Sequence, residues 1–368
     1  MMIYIAIFAL LAFLVVAEVG LDEPRTLAAG NAIAIGAIFW LMSFARWHNG
    51  TDWDSYKFVF DHFSNRAPFA DALGGFMGME PGFLAANFLM AWIGSYHLFL
   101  SAIGLLVIAP KIYTIIDFSP CAAYSCLFYF SYFLGDIFFV RQSIAISICF
   151  FSVRYLLANK RREFFILVLI ATTFHYSSIV FLLAWYLRNK RSRSVFYDVS
   201  IILASLAFSL FLLEALTHYF SNALAAFEYI GNRIGYIENN NSTSPMSSMS
   251  RDIFRILQRV TAYFFFVSRY KWIKLERKRL YSILLNLDFA SVIITCLFSV
   301  VATQMVRFGL YFSVSEILLF PLSILSFQGM KKQVAILGGI AYLFVQFYVI
   351  LLPFYNLYIP YHFWGSAL

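Results

Sequence analysis

The feature that most constrains this chain is an alternation: about ten long apolar runs, each near the length a helix needs to cross hydrocarbon, separated by short polar segments. The runs are Met2 to Ala17, Leu27 to Phe44, Leu98 to Ile115, Pro120 to Leu134, Ile137 to Leu157, Val195 to Leu213, Ile253 to Tyr270, Tyr281 to Ala302, Phe308 to Phe327 and Gln333 to Leu352. Of the 368 residues, 62% are hydrophobic and 12% charged, against roughly 25% charged in a soluble domain. Lipid is therefore the solvent of this chain. In lipid a backbone must satisfy its own hydrogen bonds, and runs of this length do so as helices. The expectation is an all-α polytopic integral membrane protein of about ten transmembrane helices, one domain over residues 1–368. The first run lacks the basic leader of a signal peptide and is expected to remain as the first span.

The net charge of +8 does not point to nucleic acid, because the basic residues lie in short clusters between apolar runs and not along one face. Such clusters mark the cytoplasmic ends of spans. They are Lys160 to Arg162; Arg188, Lys190, Arg191 and Arg193; Lys271, Lys274, Arg277, Lys278 and Arg279; and Lys331 with Lys332. With the first two on one side, the segment 164–187 enters and leaves on the same face as a re-entrant hairpin, the rival reading being a single span that breaks the rule. Taking Lys111 as cytoplasmic as well puts loops at about 45–80 and 214–252 outside, and leaves Pro81 to Gly94 too short to cross, a half-helix dipping in from the outer face. Cys121, Cys126, Cys149 and Cys296 all lie in apolar runs without metal-ligand spacing, so free thiols and no metal site are expected. Phosphate loops and the common hydrolase motifs are absent, which argues against soluble nucleotide chemistry.

A charged side chain at mid-membrane costs at least roughly 2.5 to 3.5 kcal/mol on insertion scales, so each one needs a partner, a wet cavity or an escape to the interface. Arg141 stands just inside its run, with Asp136 shortly before it as a candidate partner; a clamp between helices and an anion-binding guanidinium are the competing readings. His175 lies midway between two basic clusters with Thr173, Ser177 and Ser178 beside it, either a packing residue or the tip of a hairpin lining water. Arg307 either snorkels to the interface or faces the same cavity. Asp52, Asp54, Tyr56, Asp61, Asp71 and Glu80 fall on the same expected side as Arg141 and Arg307. Forked guanidiniums suit a diphosphate, and carboxylates or a histidine suit deprotonation of a sugar hydroxyl. The 20% aromatic content serves sugar stacking or ordinary packing and interfacial belts alike.

The run Phe139-Val140-Arg141-Gln142 with Ala145, then Lys160-Arg161-Arg162, then Ile170-Ala171 leading to Phe174-His175-Tyr176-Ser177, resembles the EpsG-like branch of Wzy-type bacterial polysaccharide polymerases. Thr51-Asp52-Trp53-Asp54-Ser55-Tyr56 and Glu80-Pro81-Gly82-Phe83 look like that family's outer-loop motifs; Arg307-Phe308 with Tyr311-Phe312, and Ile359-Pro360-Tyr361, are similar to its late ones. The resemblance implies a glycosyltransferase of the bacterial inner membrane, multi-pass and open to the outside. It would join undecaprenyl diphosphate-linked oligosaccharide repeats, donor and acceptor alike, for O-antigen, lipopolysaccharide or exopolysaccharide. It also implies that Arg141 and Arg307 hold the diphosphate and that His175, Asp52 or Glu80 serves as base, with Asp54, Tyr56, Asp136 and Gln142 in support. No cofactor, metal or nucleic acid would be needed, and a chain-length regulator would be the protein partner. Rival readings are a transporter or flippase of lipid-linked oligosaccharide, a membrane acyltransferase, and an O-antigen ligase using the same donor. The acids and cations mapping to one side favour an enzyme over a transport path.

Overall fold

The computed structural model describes residues 1–21, 23–50, 52–138, 140–189, 194–209, 248–299 and 305–364. These residues form helices, with no strand among them beyond an isolated bridge between Arg46 and Phe363. The first half runs through α1 (Met2–Gly20), α2 (Arg25–Phe44), α3 (Trp53–Ser64), α4 (Phe69–Gly74), α5 (Pro81–Ala91), α6 (Tyr96–Phe118), α7 (Ala122–Tyr132), α8 (Arg141–Leu157) and α9 (Arg161–Phe174). Among the described residues, α1, α2, α6, Leu275–Phe298 and Gly329–Leu351 are long and apolar enough to cross a membrane. Met305–Ser313 and Glu316–Ile324 make a sixth if this pair, bent by 48°, is one span. The chain is a multi-pass membrane protein.

The other expected spans also form helices, but length or charge sets them apart. α7 has 11 residues and α8 has 17, about 16 and 26 Å at the helical rise, against roughly 30 Å of hydrocarbon. Val195–Ala207 is described for 13 residues. Ser248–Arg269 carries Arg251, Asp252, Arg255, Arg259 and Arg269 on its 22 residues. Within the expected outer loop 45–80 lie α3 and α4, whereas most of the loop 214–252 lies outside the described residues.

Aromatic rings carry much of the packing. Phe39 of α2 stacks on Phe130 of α7 at 5.7 Å, Phe130 on Phe347 of Gly329–Leu351 at 5.6 Å, and Phe347 meets Phe8 of α1 at 6.0 Å. Polar ties hold the helix ends. Glu18 near the end of α1 accepts the first backbone N–H groups of α7, from Ala122 and Ala123, at 2.8 Å each. A remote carboxylate thus satisfies donors that a helix start leaves open. The loop after α2 and the C-terminal segment clasp each other: Asn49 Nδ2 donates to the Pro360 carbonyl at 3.0 Å, its Oδ1 accepts from His362 N at 2.8 Å, and Trp47 N donates to the His362 carbonyl at 2.8 Å.

Lys111 corrects one expectation. It is 1% exposed, inside α6, with its ammonium 2.6 Å from Asp136. A lysine held by a buried carboxylate reports a local partner and not a membrane face, so it is no topology marker. The same contact answers the pairing question at Arg141: Asp136 belongs to Lys111, and Arg141 finds its carboxylate elsewhere.

Segment 164–187 doubles back as a helical hairpin. α9 ends at His175, whose extended backbone (φ −157°, ψ 114°) breaks the helix, and a 3₁₀ stretch, Tyr176–Leu183, followed by Ala184–Leu187, returns along it. Phe164 near the start of α9 meets Phe181 and Trp185 of the return arm at 6.0 and 5.8 Å. Arg188 at the far end donates to Asn159 Oδ1 at 2.9 Å, so the two feet of the hairpin touch.

Candidate active site

α5 begins at Pro81, which fits the first helical position because its fixed φ suits a helix and its missing N–H is no loss there. Glu80 is left just before the helix with an extended backbone (φ −73°, ψ 145°), and its side chain does not cap its own helix. It reaches outward instead. Oε2 lies 2.7 Å from Arg141 Nη1 and Oε1 lies 2.6 Å from His175 Nδ1. The Tyr176 N–H adds a longer contact to Oε1 at 3.4 Å. Glu80 is 3% exposed, whereas the side chains of Arg141 and His175 keep 25% and 27% of their surface open. One buried carboxylate therefore holds two half-open partners.

Each partner sits where its helix breaks. Arg141 is the first residue of α8, after a stretch that leaves helical geometry at Phe133. A cation there meets the positive end of the helix dipole, an unfavourable arrangement that Glu80 offsets. His175 occupies the hairpin tip, where its carbonyl accepts from the Ser178 N–H at 3.0 Å. Gly82 lets the two elements meet: a Cβ built on it would lie 2.8 Å from the Thr173 carbonyl oxygen at the end of α9.

Burial would raise the Glu80 carboxyl, but the His175 hydrogen bond and the Arg141 charge outweigh it and hold its pKa at about 2. Glu80 is thus ionised, which makes Nδ1 of His175 the donor and leaves Nε2 with a lone pair when the ring is neutral. Among the described residues no partner engages Nε2 of His175, and Nε of Arg141 is likewise unpaired. The Arg141 guanidinium lies 5.8 Å from the Tyr56 ring and 5.9 Å from Phe83, an aromatic wall on the side away from solvent. Ser177 and Tyr311 hydroxyls, 2.8 Å apart, join the hairpin tip to Leu310–Ser313.

Of the expected site residues, Glu80, Arg141, His175 and Tyr56 come together. Gln142 donates to the Arg307 carbonyl at 3.4 Å, which brings the Arg307 backbone to the edge of the site, while its side chain is exposed. Asp52 is exposed and reaches only Tyr56, at 3.4 Å. Asp54 is turned to solvent, 3.4 Å from His48. Asp136 stands apart with Lys111. Ile359-Pro360-Tyr361 lies in the clasp with the end of α2 and the loop after it, and not in this cluster. Tyr311 and Lys111 had no expected part in the site. Tyr311 follows Arg307 by one helical turn, which was a usable signal; Lys111 carried none that a topology cluster would not carry.

A cavity of about 710 Å³ lies elsewhere, between Ser248–Arg269 and Gly329–Leu351, with Gln258, Glu316 and Gln346 on a mostly apolar wall. Glu80, Arg141 and His175 do not line it. No functionally curated protein and no solved structure matches the chain. The model of the EpsG family matches residues 32–363, nearly the whole sequence and every part of the Glu80 cluster, and the protein belongs to the EpsG family.

Proposed function

We propose that this protein is a polysaccharide polymerase that joins undecaprenyl diphosphate-linked oligosaccharide repeats at the outer face of a bacterial inner membrane. The observation that carries the reading is Glu80 gripping Arg141 with one oxygen and His175 with the other. A cation with a spare donor and a base with a free lone pair are thereby fixed side by side, both partly open.

In the reaction an acceptor hydroxyl oxygen attacks the anomeric carbon of the growing chain, and the bond from that carbon to the lipid diphosphate breaks. The electron pair leaves on the diphosphate oxygen, where Arg141 offsets the developing charge, and the exposed guanidinium of Arg307 is assigned to the distal phosphate. The hydroxyl proton passes to Nε2 of His175. Glu80 is the orienting group and not the base: a carboxylate with a pKa of about 2 accepts a proton poorly and both its oxygens are occupied, so it holds the ring tautomer as the carboxylate of a catalytic triad does. Asp52, exposed, stands behind Tyr56, whose hydroxyl it accepts from, and is not assigned a proton transfer.

The test is a strain carrying Arg141→Ala or His175→Ala. The expected result is normal insertion and level of the protein, loss of long polymer and accumulation of single repeat units on the lipid carrier. Wild-type polymer in either strain overturns the reading. Loss of transfer to lipid A, with polymer still assembled on its carrier, would point to the ligase activity instead.

A further inference from the structure

Lys111 and Asp136 make an ion pair at 2.6 Å, with side chains 1% and 6% exposed, in a part of the molecule the chemistry above does not touch. An ion pair so deeply buried is poor value for stability alone. The desolvation of both ions can exceed their attraction, and apolar pairs of similar volume are often as stable or more so. What distinguishes this pair is its position along the chain. Asp136 lies in the break between α7 and α8, a 3₁₀ turn in which Asp136 N donates to the Phe133 carbonyl at 2.9 Å and Phe138 N to the Gly135 carbonyl at 3.0 Å. Arg141 follows directly after that break.

The ammonium grips both sides of Arg141. Before it, Lys111 holds Asp136, whose Oδ2 also accepts from Tyr129 Oη at 2.9 Å. After it, Lys111 donates to the Ser143 carbonyl at 3.4 Å and to the Ser147 hydroxyl, whose oxygen lies 2.8 and 2.6 Å from the Ser143 and Val107 carbonyls, either of which can accept its one proton. One cation on α6 thus ties together the end of α7, the non-helical break and the first turns of α8. We infer that Lys111 and Asp136 are positioning residues that fix where α8 begins, and so hold the Arg141 guanidinium against Glu80. This rests on the polymerase reading of the Glu80 cluster.

The decisive variant replaces the pair by apolar groups of similar size, Lys111→Met with Asp136→Leu. It is expected to reach wild-type levels in the membrane with an unchanged melting temperature in detergent, while long polymer falls at least tenfold and single lipid-linked repeats accumulate. Should that double variant fail to fold, Asp136→Glu in the wild-type background keeps the pair's charge but lengthens one arm; it is expected to stay folded and to make several-fold less long polymer than the wild type. Wild-type polymer from either folded variant overturns the inference. Activity that falls only in step with melting temperature does so too, because a merely structural pair would behave that way. If Arg141→Ala itself makes normal polymer, the functional reading fails; if Arg141→Ala abolishes polymer and the apolar double does not, only the positioning role fails.

Discussion

Glu80 is the residue on which the site turns, because its two oxygens serve different partners at 2.7 and 2.6 Å. Glu80→Gln keeps the shape but removes the charge that sets Arg141 and fixes the His175 ring. With orientation and tautomer of the base both lost, polymer synthesis should fall on the order of 10²–10⁴-fold at little change in protein level. A fall below tenfold, measured as polymer per protein in membranes, would show that the carboxylate does not orient the base. The same residue predicts an acid response. Its pKa is about 2 in the folded chain against an ordinary 4.5, so the stabilisation is whole above pH about 4.5 and is lost as pH falls toward 2. The melting temperature of the wild type should therefore drop more steeply below pH about 4.5 than that of Glu80→Gln, whose amide does not titrate. Parallel curves would place the stabilising charge elsewhere.

At the scale of elements, the contact between α5 and the tip of the hairpin decides whether the trio can assemble. Gly82 meets the Thr173 backbone so closely that a methyl group would force the two apart. Gly82→Ala is expected to cost about 1–3 kcal/mol of overpacking and to lower polymer yield by parting Glu80 from His175. Gly338→Ala, on a helix with nothing within 4 Å of the added carbon, should leave both untouched; equal effects of the two, read by melting temperature and polymer yield, would deny the close approach its role. The hairpin was legible as one of two readings, because basic clusters at 160–162 and 188–193 bracket a segment with a histidine and hydroxyls at its centre; charge alone does not exclude a single span. The break before Arg141 was legible in part: the apolar runs end at Leu134 and resume at Ile137, with Gly135 and Asp136 between them. What the sequence does not show is that α8 starts only at Arg141 and that Asp136 meets a lysine of α6, distant in the chain. For the same reason Asp136 looked like a partner for its neighbour Arg141, when a tertiary contact had already claimed it.

For the whole molecule, hydropathy read the membrane class and the long, mainly apolar spans α1, α2, α6, Leu275–Phe298 and Gly329–Leu351. It read least well where apolar residues face other helices and not lipid: α7 is buried along nearly its whole length and stops after 11 residues. The orientation of the bundle can be argued from α8 and α9. Arg141 begins α8 and His175 follows α9, whereas the cluster Lys160 to Arg162 sits at the opposite ends of both helices. At 1.5 Å per residue, α8 and α9 separate the trio from that cluster by roughly 20–25 Å, most of the hydrocarbon thickness. If the basic cluster is cytoplasmic, the trio is held toward the other face, and α3, which brings Tyr56 to Arg141, lies there too. Asp54 on α3 is 88% exposed and Arg162 is exposed, while the four native cysteines are buried. A membrane-impermeant maleimide added to intact spheroplasts should therefore label Asp54→Cys at once and Arg162→Cys only after the membrane is opened. The reverse pattern would turn Arg141 and His175 toward the cytoplasm, where lipid-linked repeats awaiting polymerisation at the outer face could not reach them.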